Sequence, residues 1–470
     1  MSKLADEIAR LNEQHAVIMI NGKVRVACWE PSRINKGIMI AKFASVADMK
    51  NFYSNKRVRV GSDEDSKSVP VFDLWMRSRD RATVIGVTMD PTAGRIVDGQ
   101  LNLCRGLAVE PKQGDWSLLR RHIEEVVCRG VRAHMDYVIK WLAWRLQHPT
   151  TPPEVALVMS GLKGTGKGLL GRALCRIFGA HAIHISDRKH LAGSFNAHML
   201  QACMVFADEA YWPGDKAAEG NLKRLITEPT LFVELKGVDA YEVPNHTATI
   251  IAGNEEWLVP ASDDERRYAA FRVADHHKQD GDYFKPLFAE MNNGGLEAFL
   301  FDALAMDLGD WHPREDIPQT DALKAQQEVS SDPHDRWLGA ILEAGVLPFS
   351  VLDDGIEKRV VHDRKPDMAR SELLWKHATR QPGLAHWTQP AFWRYLSDHG
   401  VSRGQREAKG NMRTFPPLPE MRKAWLARHP WWPPFDDMDE HWRMPADEKI
   451  DRQRRGLSDP AGHLQDGGWE

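Results

Sequence analysis

The stretch Ser160 to Leu169 reads S-G-L-K-G-T-G-K-G-L, a glycine-rich loop that contains a lysine near its end. An apolar, β-compatible run precedes it at Glu154 to Met159, and apolar residues recur at helical spacing from Leu169 to Ile177. The loop is therefore predicted to join a strand to a helix, which is the context that a phosphate-binding loop requires. Nucleotide hydrolysis is the leading hypothesis that follows from this pattern.

Each residue type in the loop has a physical role in binding phosphates. Glycines let the backbone turn its N–H groups toward the anion, and the N-terminus of the following helix adds a partial positive charge. Lys167 is predicted to reach the β- and γ-phosphate oxygens. The predicted nucleotide-binding residues are Gly161, Gly164, Thr165, Gly166, Lys167, Gly168 and Leu169.

One position departs from the usual pattern. The residue after the lysine is commonly a serine or threonine whose hydroxyl binds Mg²⁺, and here it is Gly168. Metal binding is therefore expected to depend more on downstream carboxylates, phosphates and water. The alternative interpretation is a glycine-rich turn without function, and the strand and helix on either side of the loop count against it.

The composition limits the classes of protein to consider. The 470 residues give room for about two to four domains, and the net charge of −4 means that any DNA-binding surface is a local patch. Five cysteines without a C-x-x-C pair argue for a reducing compartment and against a structural zinc site. Because no apolar run approaches the roughly 20 residues of a membrane span and the start lacks a signal-peptide core, we expect a soluble, cytoplasmic protein with no membrane partner.

A second apolar run, Cys203 to Asp208, ends in a carboxylate and is followed by Glu209. Such a strand can deliver acidic groups to a metal and to the attacking water. Asp208 is predicted to hold Mg²⁺, directly or through water, and Glu209 to polarise the water that attacks the γ-phosphate. Acids are also common at strand ends, so this signal depends on the loop that precedes it.

A third apolar run, Thr247 to Ala252, is followed by Gly253 and Asn254. The Asn254 amide is predicted to reach the γ-phosphate or the attacking water, and a plain turn residue is the favoured interpretation if Asn254 is taken alone. Arg266 and Arg267 follow a further loop and are predicted to contact phosphates held by a neighbouring subunit, where an arginine stabilises transition-state charge. A surface ion-pair cluster with the adjacent acids is the alternative.

Two lysines are the predicted DNA contacts, Lys223 and Lys236. Lys236 lies in Val233 to Asp239, which is predicted as a β-hairpin with this lysine near its tip. Such a hairpin can carry a positive charge into a central channel, where the phosphates of single-stranded DNA would be its target. Exposed hairpin lysines are common, so this role depends on the order of the surrounding motifs.

Charge changes sharply toward the end of the chain. Lys358 to Arg428 carries fifteen Lys/Arg against six Asp/Glu, whereas Asp436 to Glu470 has ten acidic and five basic residues. Helices at Ser371 to Thr379 and Gln389 to His399 and a hairpin-like stretch at Gly404 to Phe415 predict a small winged-helix-like DNA-binding module. A solvated basic face is an equal alternative, and the acidic tail is expected to be disordered or loosely docked.

An acidic run, Asp63-Glu64-Asp65, lies in the polar loop Gly61 to Ser68. It could be read as the metal-binding carboxylates of a primase or polymerase, but it lacks a rigid strand and a nearby catalytic histidine. A solvated loop is the preferred interpretation.

The motifs G-L-K-G-T-G-K-G, F-A-D-E-A, L-K-R-L-I-T, E-L-K-G-V-D, I-I-A-G-N and D-E-R-R-Y follow one another within residues 161–268. In this order they resemble a superfamily 3 helicase, and more closely the helicase-like domain of phage and prophage primase-associated replication proteins. Phe195-Asn196, Asn102 to Pro111 and Asp115-Trp116 add to the resemblance, which covers Leu74 to about Trp337.

The resemblance implies an α/β fold with a P-loop NTPase (AAA+-like) parallel-sheet core that assembles into a ring, with six as the expected number of subunits. It implies an ATP- and Mg²⁺-dependent DNA helicase or translocase of phage or prophage replication, acting on single-stranded or forked DNA in the host cytoplasm. Priming would be absent or supplied by a separate primase or polymerase. Each ATP would lie between Lys167, Asp208, Glu209 and Asn254 of one subunit and Arg266 or Arg267 of the next.

Six parts are predicted along the chain. They are an N-terminal α+β domain (1–114), a helical connector (115–150), the ATPase core (151–275), a helical region (276–345), the basic winged-helix-like module (346–435) and the acidic tail (436–470). Two other functions remain open at this point. One is an ATPase of the same fold that acts as a loader or switch on DNA without unwinding it, and the other is a nucleotide-binding protein with a degenerate phosphate loop.

Overall fold

The computed structural model of this chain describes residues 3–31, 39–60, 66–186, 197–209, 216–234, 239–255, 257–262, 265–348, 350–353, 356–359, 365–407, 410–435 and 440–444. The chain divides into two units. The first combines Met1–Pro260 with Glu265–Gln326, and the second combines Ala261–Asp264 with Gln327–Glu470. Asp63-Glu64-Asp65, Phe195-Asn196, Lys236 and nearly all of the acidic tail lie outside the described residues.

The first unit contains the strands β1 (His15–Ile20), β2 (Lys23–Pro31), β3 (Met39–Ser45), β4 (Arg57–Val60), β5 (Lys67–Pro70), β6 (Thr83–Val84), β7 (Gly86–Thr88), β8 (Ile96–Val97), β9 (Gln100–Asn102), β10 (Ala156–Ser160), β11 (Ala182–Ile185), β12 (Met204–Asp208), β13 (Thr230–Val233), β14 (Tyr241–Pro244), β15 (Ala248–Gly253) and β16 (Tyr268–Arg272). Its helices are α1 (Lys3–Gln14), α2 (Val46–Phe52), α3 (Val71–Arg77), α4 (Ser117–Arg121), α5 (Arg132–Gln147), α6 (Leu169–Phe178), α7 (Lys216–Thr227), α8 (Gly281–Asn292), α9 (Gly295–Ala305) and the first part of α10 (Asp321–Ser330). A π-helix covers His122–Val127, and short 3₁₀ helices cover Gly179–His181 and Ala197–Gln201.

Near its N-terminus the chain forms a four-stranded sheet in the order β3-β2-β1-β6. The apolar sequence of β1 is buried at every position except Met19, as expected for a strand at the centre of a sheet. Helices α1, α2 and α3 cover one face, where Leu11, Phe72 and Trp75 are fully buried in one cluster. Helices and mostly antiparallel strands therefore share a core here.

A second sheet has five strands in the order β11-β12-β15-β10-β16, and every neighbouring pair of strands in it is parallel. The glycine-rich loop follows β10, Asp208 is the last residue of β12, and Asn254 follows β15. The central strands are apolar and buried, which is typical of a parallel sheet covered on both faces. Because parallel strands end at the same edge, Ser160, Asp208 and Gly253 share the carboxyl edge of the sheet. The predicted mixed α/β fold with a parallel sheet is confirmed.

The helical pattern between Asp115 and Gln147 is not one continuous helix. It begins as α4, continues as the π-helix and ends at a turn in which Arg129 (φ +55) and Gly130 (φ +75) have left-handed backbones. A residue with a left-handed backbone cannot continue a right-handed helix, so a new helix, α5, begins at Arg132. The predicted helical connector thus contains two helical segments separated by this turn.

Arg145, on α5, is a fully buried cation that is bound by backbone carbonyls. The four N–H groups of Nη1 and Nη2 lie within hydrogen-bonding distance of five carbonyls, so Nη2 shares its two N–H groups among three of them. Burial lowers the pKa of Arg145 to about 10, so it stays charged at neutral pH. The acceptors are the carbonyls of His148, Pro149, Thr151, Cys203 and His246. One side chain thus joins the end of α5 to the segments that enter β12 and β15.

The second unit contains the last part of α10, the helices α11 (Pro333–Ala344), α12 (Ser371–Thr379), α13 (Gln389–Asp398) and α14 (Leu418–Arg428), and the strands β17 (Ser350–Asp353), β18 (Ile356–Arg359), β19 (Met368–Arg370), β20 (Ser402–Glu407) and β21 (Gly410–Thr414). Three of these strands form an antiparallel sheet in the order β19-β21-β20. The hairpin predicted from Gly404 is present and begins two residues earlier, at Ser402. The core of this unit contains five buried tryptophans, among them Trp337, Trp425 and Trp431.

No helix in the described part of the chain is both long enough and apolar enough to cross a membrane.

The five cysteines are free, and Cys28, Cys128 and Cys203 are buried.

We predict that Arg145→Lys destabilises the first unit by about 1–3 kcal/mol, because an ammonium has only three donors for five carbonyls, of which those of His148 and Cys203 alone keep a backbone N–H donor. The exposed Arg120 gives the matched control, and Arg120→Lys should change the free energy of unfolding by less than about 0.5 kcal/mol. Urea unfolding of both variants measures the difference. Equal stability of the two variants would contradict the structural role of Arg145.

Candidate functional site

The glycine-rich loop connects the end of β10 to the start of α6, as the sequence predicts. Gly164 (φ +79) and Gly166 (φ +88) have left-handed backbones, which glycine adopts without strain. A Cβ at Gly166 would lie 2.6 Å from Cε1 of His122 and 2.8 Å from Cε1 of Phe284. The backbone of the loop is therefore packed too closely on its neighbours for any side chain at this position.

Lys167 is almost entirely buried, with 8% of its surface exposed. Its ammonium donates hydrogen bonds to the Leu162 carbonyl, at 3.2 Å, and to Oδ1 of Asn254. The Asn254 amide nitrogen in turn donates to Oε1 of Glu209 at 3.3 Å. Burial lowers the pKa of Lys167, and the charges of Asp208 and Glu209 oppose that shift. The structure thus links Lys167, Asn254 and Glu209 through hydrogen bonds at the carboxyl edge of the sheet.

Glu209 has an unusual backbone for a residue with a side chain. Its φ is +61, and its N–H donates to the Ala252 carbonyl at 2.8 Å. Left-handed conformations in residues other than glycine are uncommon and are concentrated at functional sites. The Glu209 side chain is exposed.

Asp208 lies beside Gly168, the position that lacks the usual hydroxyl. A Cβ at Gly168 would be 3.3 Å from Oδ2 of Asp208 and 2.6 Å from Nη1 of Arg172. The same Asp208 oxygen is 3.4 Å from Nη1 of Arg172 and 3.6 Å from Nε2 of His184. The guanidinium of Arg172 therefore fills the space that a serine or threonine side chain would need.

Arg172 was not predicted from the sequence, although its spacing holds a signal. Arg172 is four residues after Gly168, and residues four apart lie on the same face of a helix. His184 has no such signal, because it approaches Asp208 only through the pairing of β11 with β12.

These residues fit a nucleotide with Mg²⁺. The loop combines closely packed glycines with a buried ammonium, and two carboxylates lie at the same edge of the sheet. Carboxylate oxygens are ligands that Mg²⁺ prefers, and backbone N–H groups at a helix N-terminus favour phosphates. Asp208 and Glu209 are the residues that could hold the metal, and the loop with Lys167 could hold the phosphates.

Arg266 and Arg267 do not join this cluster. They precede β16, whose first residue, Tyr268, pairs with Ala156 while Arg272 pairs with Ser160 at the carboxyl edge. A rise of about 3.3 Å per residue puts the start of β16 about 13 Å from that edge. Both arginines therefore lie at the amino edge of the sheet, away from the loop of their own chain.

The two arginines also differ from each other. Arg267 is partly buried, and its Nη1 is 3.3 Å from Oε1 of the buried Glu265. Arg266 is exposed and forms no ion pair with another described residue. Of the two, Arg266 is the one whose guanidinium is presented at the surface.

His122, on the π-helix, supports the loop and was not predicted from the sequence. It is fully buried, with Nε2 at 3.3 Å from the Gly166 carbonyl and Nδ1 at 3.1 Å from the Tyr283 hydroxyl. An Nε2–H that donates to the carbonyl leaves Nδ1 to accept from the tyrosine, so the neutral ring satisfies both contacts. Burial lowers the pKa of His122 to about 4.

The predicted DNA contacts are only partly described. Lys223 is on α7, half-buried, and its ammonium is 2.6 Å from Oε1 of Glu219 one turn away. The strands β13 and β14 pair antiparallel, with Val233 opposite Tyr241, so they flank the predicted hairpin range rather than fill it. Lys236 falls between them, outside the described residues.

The family whose model matches residues 159–267 is described as a family of unknown function, DUF5906. That range contains the whole glycine-rich loop, both carboxylates, Asn254 and the two arginines. A curated DNA primase-polymerase of Nitratiruptor phage NrS-1 is 31% identical over 137 residues, which are 28% of this chain and 19% of that protein. The chain thus matches less than a fifth of the length of this relative.

Solved structures of the NrS-1 C-terminal region, without ligand, have a similar fold. One has a TM-score of 0.58 at 18% identity and covers 88% of this chain and 99% of that chain. Another has a TM-score of 0.54 at 19% identity and covers 73% and 78%, respectively. The similarity to a phage primase-associated replication protein is confirmed, and the assignment to superfamily 3 stays a prediction.

We predict that the first unit loses stability as the pH falls from about 6.5 to 4. The folded state keeps His122 neutral down to about pH 4, while in the unfolded chain it binds a proton below the ordinary histidine pKa of 6.5. A shift of this size corresponds to about 3 kcal/mol. In His122→Gln this part of the pH dependence should disappear, as measured by urea unfolding at pH 7 and pH 4.5. The exposed His386 supplies the control, and a pH dependence in His122→Gln equal to that in His386→Gln would refute the assignment.

Proposed function

We propose that this chain is a Mg²⁺-dependent ATPase of the superfamily 3 type that moves along DNA during phage replication. The observation that carries the proposal is the hydrogen-bonded series Lys167, Asn254 and Glu209, placed where a glycine-rich loop follows a parallel strand. A turn without function does not require a buried ammonium or a carboxylate held on a left-handed backbone. The similarity to a phage primase-polymerase supports the replication context.

The residues divide the chemistry between them. Lys167 would neutralise charge on the phosphates, and Glu209 would orient and polarise the attacking water. Asn254 contacts both side chains, so it would set the position of the water relative to the phosphates. Mg²⁺ would supply further charge neutralisation, held by Asp208. Since Gly168 offers no hydroxyl, the remaining ligands of Mg²⁺ would be phosphate oxygens and water.

The positions of the two arginines support a site shared between subunits. Neither side chain lies near the loop of its own chain, yet Arg266 is exposed and without an ion pair among the described residues. A ring would bring the amino edge of one sheet toward the carboxyl edge of the next. Arg266 is then the proposed trans-acting arginine, and Arg267 is a structural residue bound to Glu265.

Single-stranded or forked DNA is the proposed substrate of the movement, with Lys223 and Lys236 as its contacts. The phage relative is named a DNA primase-polymerase, and the solved structures that this chain resembles belong to the C-terminal region of NrS-1. We therefore assign the motor to this chain and leave priming to a partner. Loading or switching on DNA without unwinding is the second candidate, because both functions use the same ATP site.

We predict that Lys167→Ala and Asp208→Asn abolish Mg²⁺-dependent ATP hydrolysis, because each removes a charge that stabilises the transferred phosphate or its metal. Lys163→Ala is the matched control, since Lys163 is an exposed lysine of the same loop. Release of inorganic phosphate measures hydrolysis, and displacement of a labelled strand from a forked duplex is recorded in the same samples. Full hydrolysis in Lys167→Ala would exclude this loop as the site of ATP hydrolysis.

The strand-displacement arm separates the two candidate functions. Displacement that requires ATP and is lost in Lys167→Ala supports the helicase. Hydrolysis by the unmodified chain without displacement of the strand supports the loader or switch instead. No hydrolysis by the unmodified chain supports a degenerate nucleotide site.

We predict that Arg266→Ala lowers the rate of hydrolysis about 10³-fold or more, as loss of a trans-acting arginine does in other NTPases. Arg267→Ala should instead lower stability, because it removes the ion pair with buried Glu265. Mixing Arg266→Ala chains with Lys167→Ala chains should restore part of the activity, because one shared site in the mixed ring has both residues. No recovery on mixing, with ring assembly confirmed by mass, would contradict a shared site.

A further inference from the structure

A second group of potential ligands lies apart from the phosphate-binding residues. Glu125 is on the π-helix, and His276 and His277 follow β16. One ligand atom from each of these three side chains lies within 4.8 Å of the other two. Glu125 and His276 are exposed, and His277 is half-buried, so solvent reaches the group.

His277 is held in one orientation by two neighbours. Its Nδ1 is 2.9 Å from Oδ2 of Asp280, and its ring stacks on Tyr283 with 3.7 Å between centroids. Asp280 is itself fixed, because its other oxygen accepts the Tyr283 N–H at 3.1 Å at the start of α8. When Nδ1 donates to a carboxylate, Nε2 keeps its lone pair and becomes the more basic nitrogen. This carboxylate–histidine arrangement is the usual support of a metal-binding imidazole.

We propose that Glu125, His276 and His277 bind a divalent transition metal of the Zn²⁺ class. Two imidazoles and one carboxylate suit Zn²⁺, Co²⁺ or Ni²⁺ and do not suit Mg²⁺, which prefers oxygen ligands. In a tetrahedral site with bonds of about 2.0–2.1 Å, the ligand atoms are about 3.3 Å apart. In the structure these atoms lie within 4.8 Å of one another, and small rotations of the exposed Glu125 and His276 side chains would bring them to the tetrahedral spacing. A water molecule would be the fourth ligand.

A metal bound by this group would also affect the phosphate-binding loop. The loop that carries the histidines also supplies Gln279, whose N–H donates to the Gly164 carbonyl at 2.9 Å. Tyr283, on which His277 stacks, contacts His122, which in turn contacts Gly166. Fixing the histidine loop to the π-helix would therefore hold the phosphate-binding loop from two sides. The proposal does not depend on ATP hydrolysis, because it concerns the free protein.

Titration of the chelator-treated full chain with ZnCl₂, by calorimetry without nucleotide, tests the site. We expect one Zn²⁺ per chain and a visible absorption spectrum of tetrahedral type when CoCl₂ replaces ZnCl₂. Glu125→Gln and His276→Ala should abolish this binding, while Glu124→Gln and His386→Ala should leave it unchanged because both residues are exposed and outside the group. Asp280→Asn should weaken it about 10- to 100-fold, as loss of an orienting carboxylate does.

Thermal unfolding of each variant without metal verifies that the chain is folded. A second readout is the melting temperature in the presence of ZnCl₂, which should rise for the unmodified chain and for Glu124→Gln but not for Glu125→Gln. Equal Zn²⁺ affinity and stoichiometry in Glu124→Gln and Glu125→Gln, or no binding beyond that of scattered surface histidines, would overturn the proposal. Neither result would bear on the ATPase.

Discussion

All five strands of the core sheet run in the same direction, and the candidate site depends on this constraint. Parallel strands place their carboxyl ends at one edge, so residues that are far apart in sequence, such as Lys167 and Asn254, come into hydrogen-bonding contact there. The same constraint places residues that precede a strand at the other edge, as with Arg266. A single architectural rule thus explains both which polar residues meet and which are kept apart.

The sequence alone was sufficient to locate the candidate residues that lie at the ends of predicted strands. An apolar run that ends in a polar residue locates a strand end, and three such runs identified the loop, Asp208 and Asn254. The parallel sheet followed from the same pattern through the resemblance it supported. The π-helix and the turn at Gly130 were not predicted, because an apolar pattern at helical spacing does not reveal where one helix stops and the next begins.

Other features depend on tertiary packing that no local pattern encodes. His122 supports the loop only because the π-helix and α8 both pack against Gly166, and His184 reaches Asp208 only through strand pairing. The absence of a C-x-x-C pair was taken to argue against a structural zinc site, but it gave no information on histidines brought together by folding. Arg172 is an intermediate case, since its helical spacing from Gly168 was visible while its contact with Asp208 was not.

The hydrogen bonds of Arg145 bear on the order in which parts of the first unit can become ordered. Its guanidinium binds carbonyls at positions 148, 149, 151, 203 and 246, so its local partners are made early in synthesis and its distant ones only after up to about a hundred more residues. Until then the cation cannot leave water without losing hydrogen bonds. Helix α5 therefore gains its last Arg145 hydrogen bonds only when the segments before β12 and β15 reach it, which couples the ordering of this helix to that of the sheet.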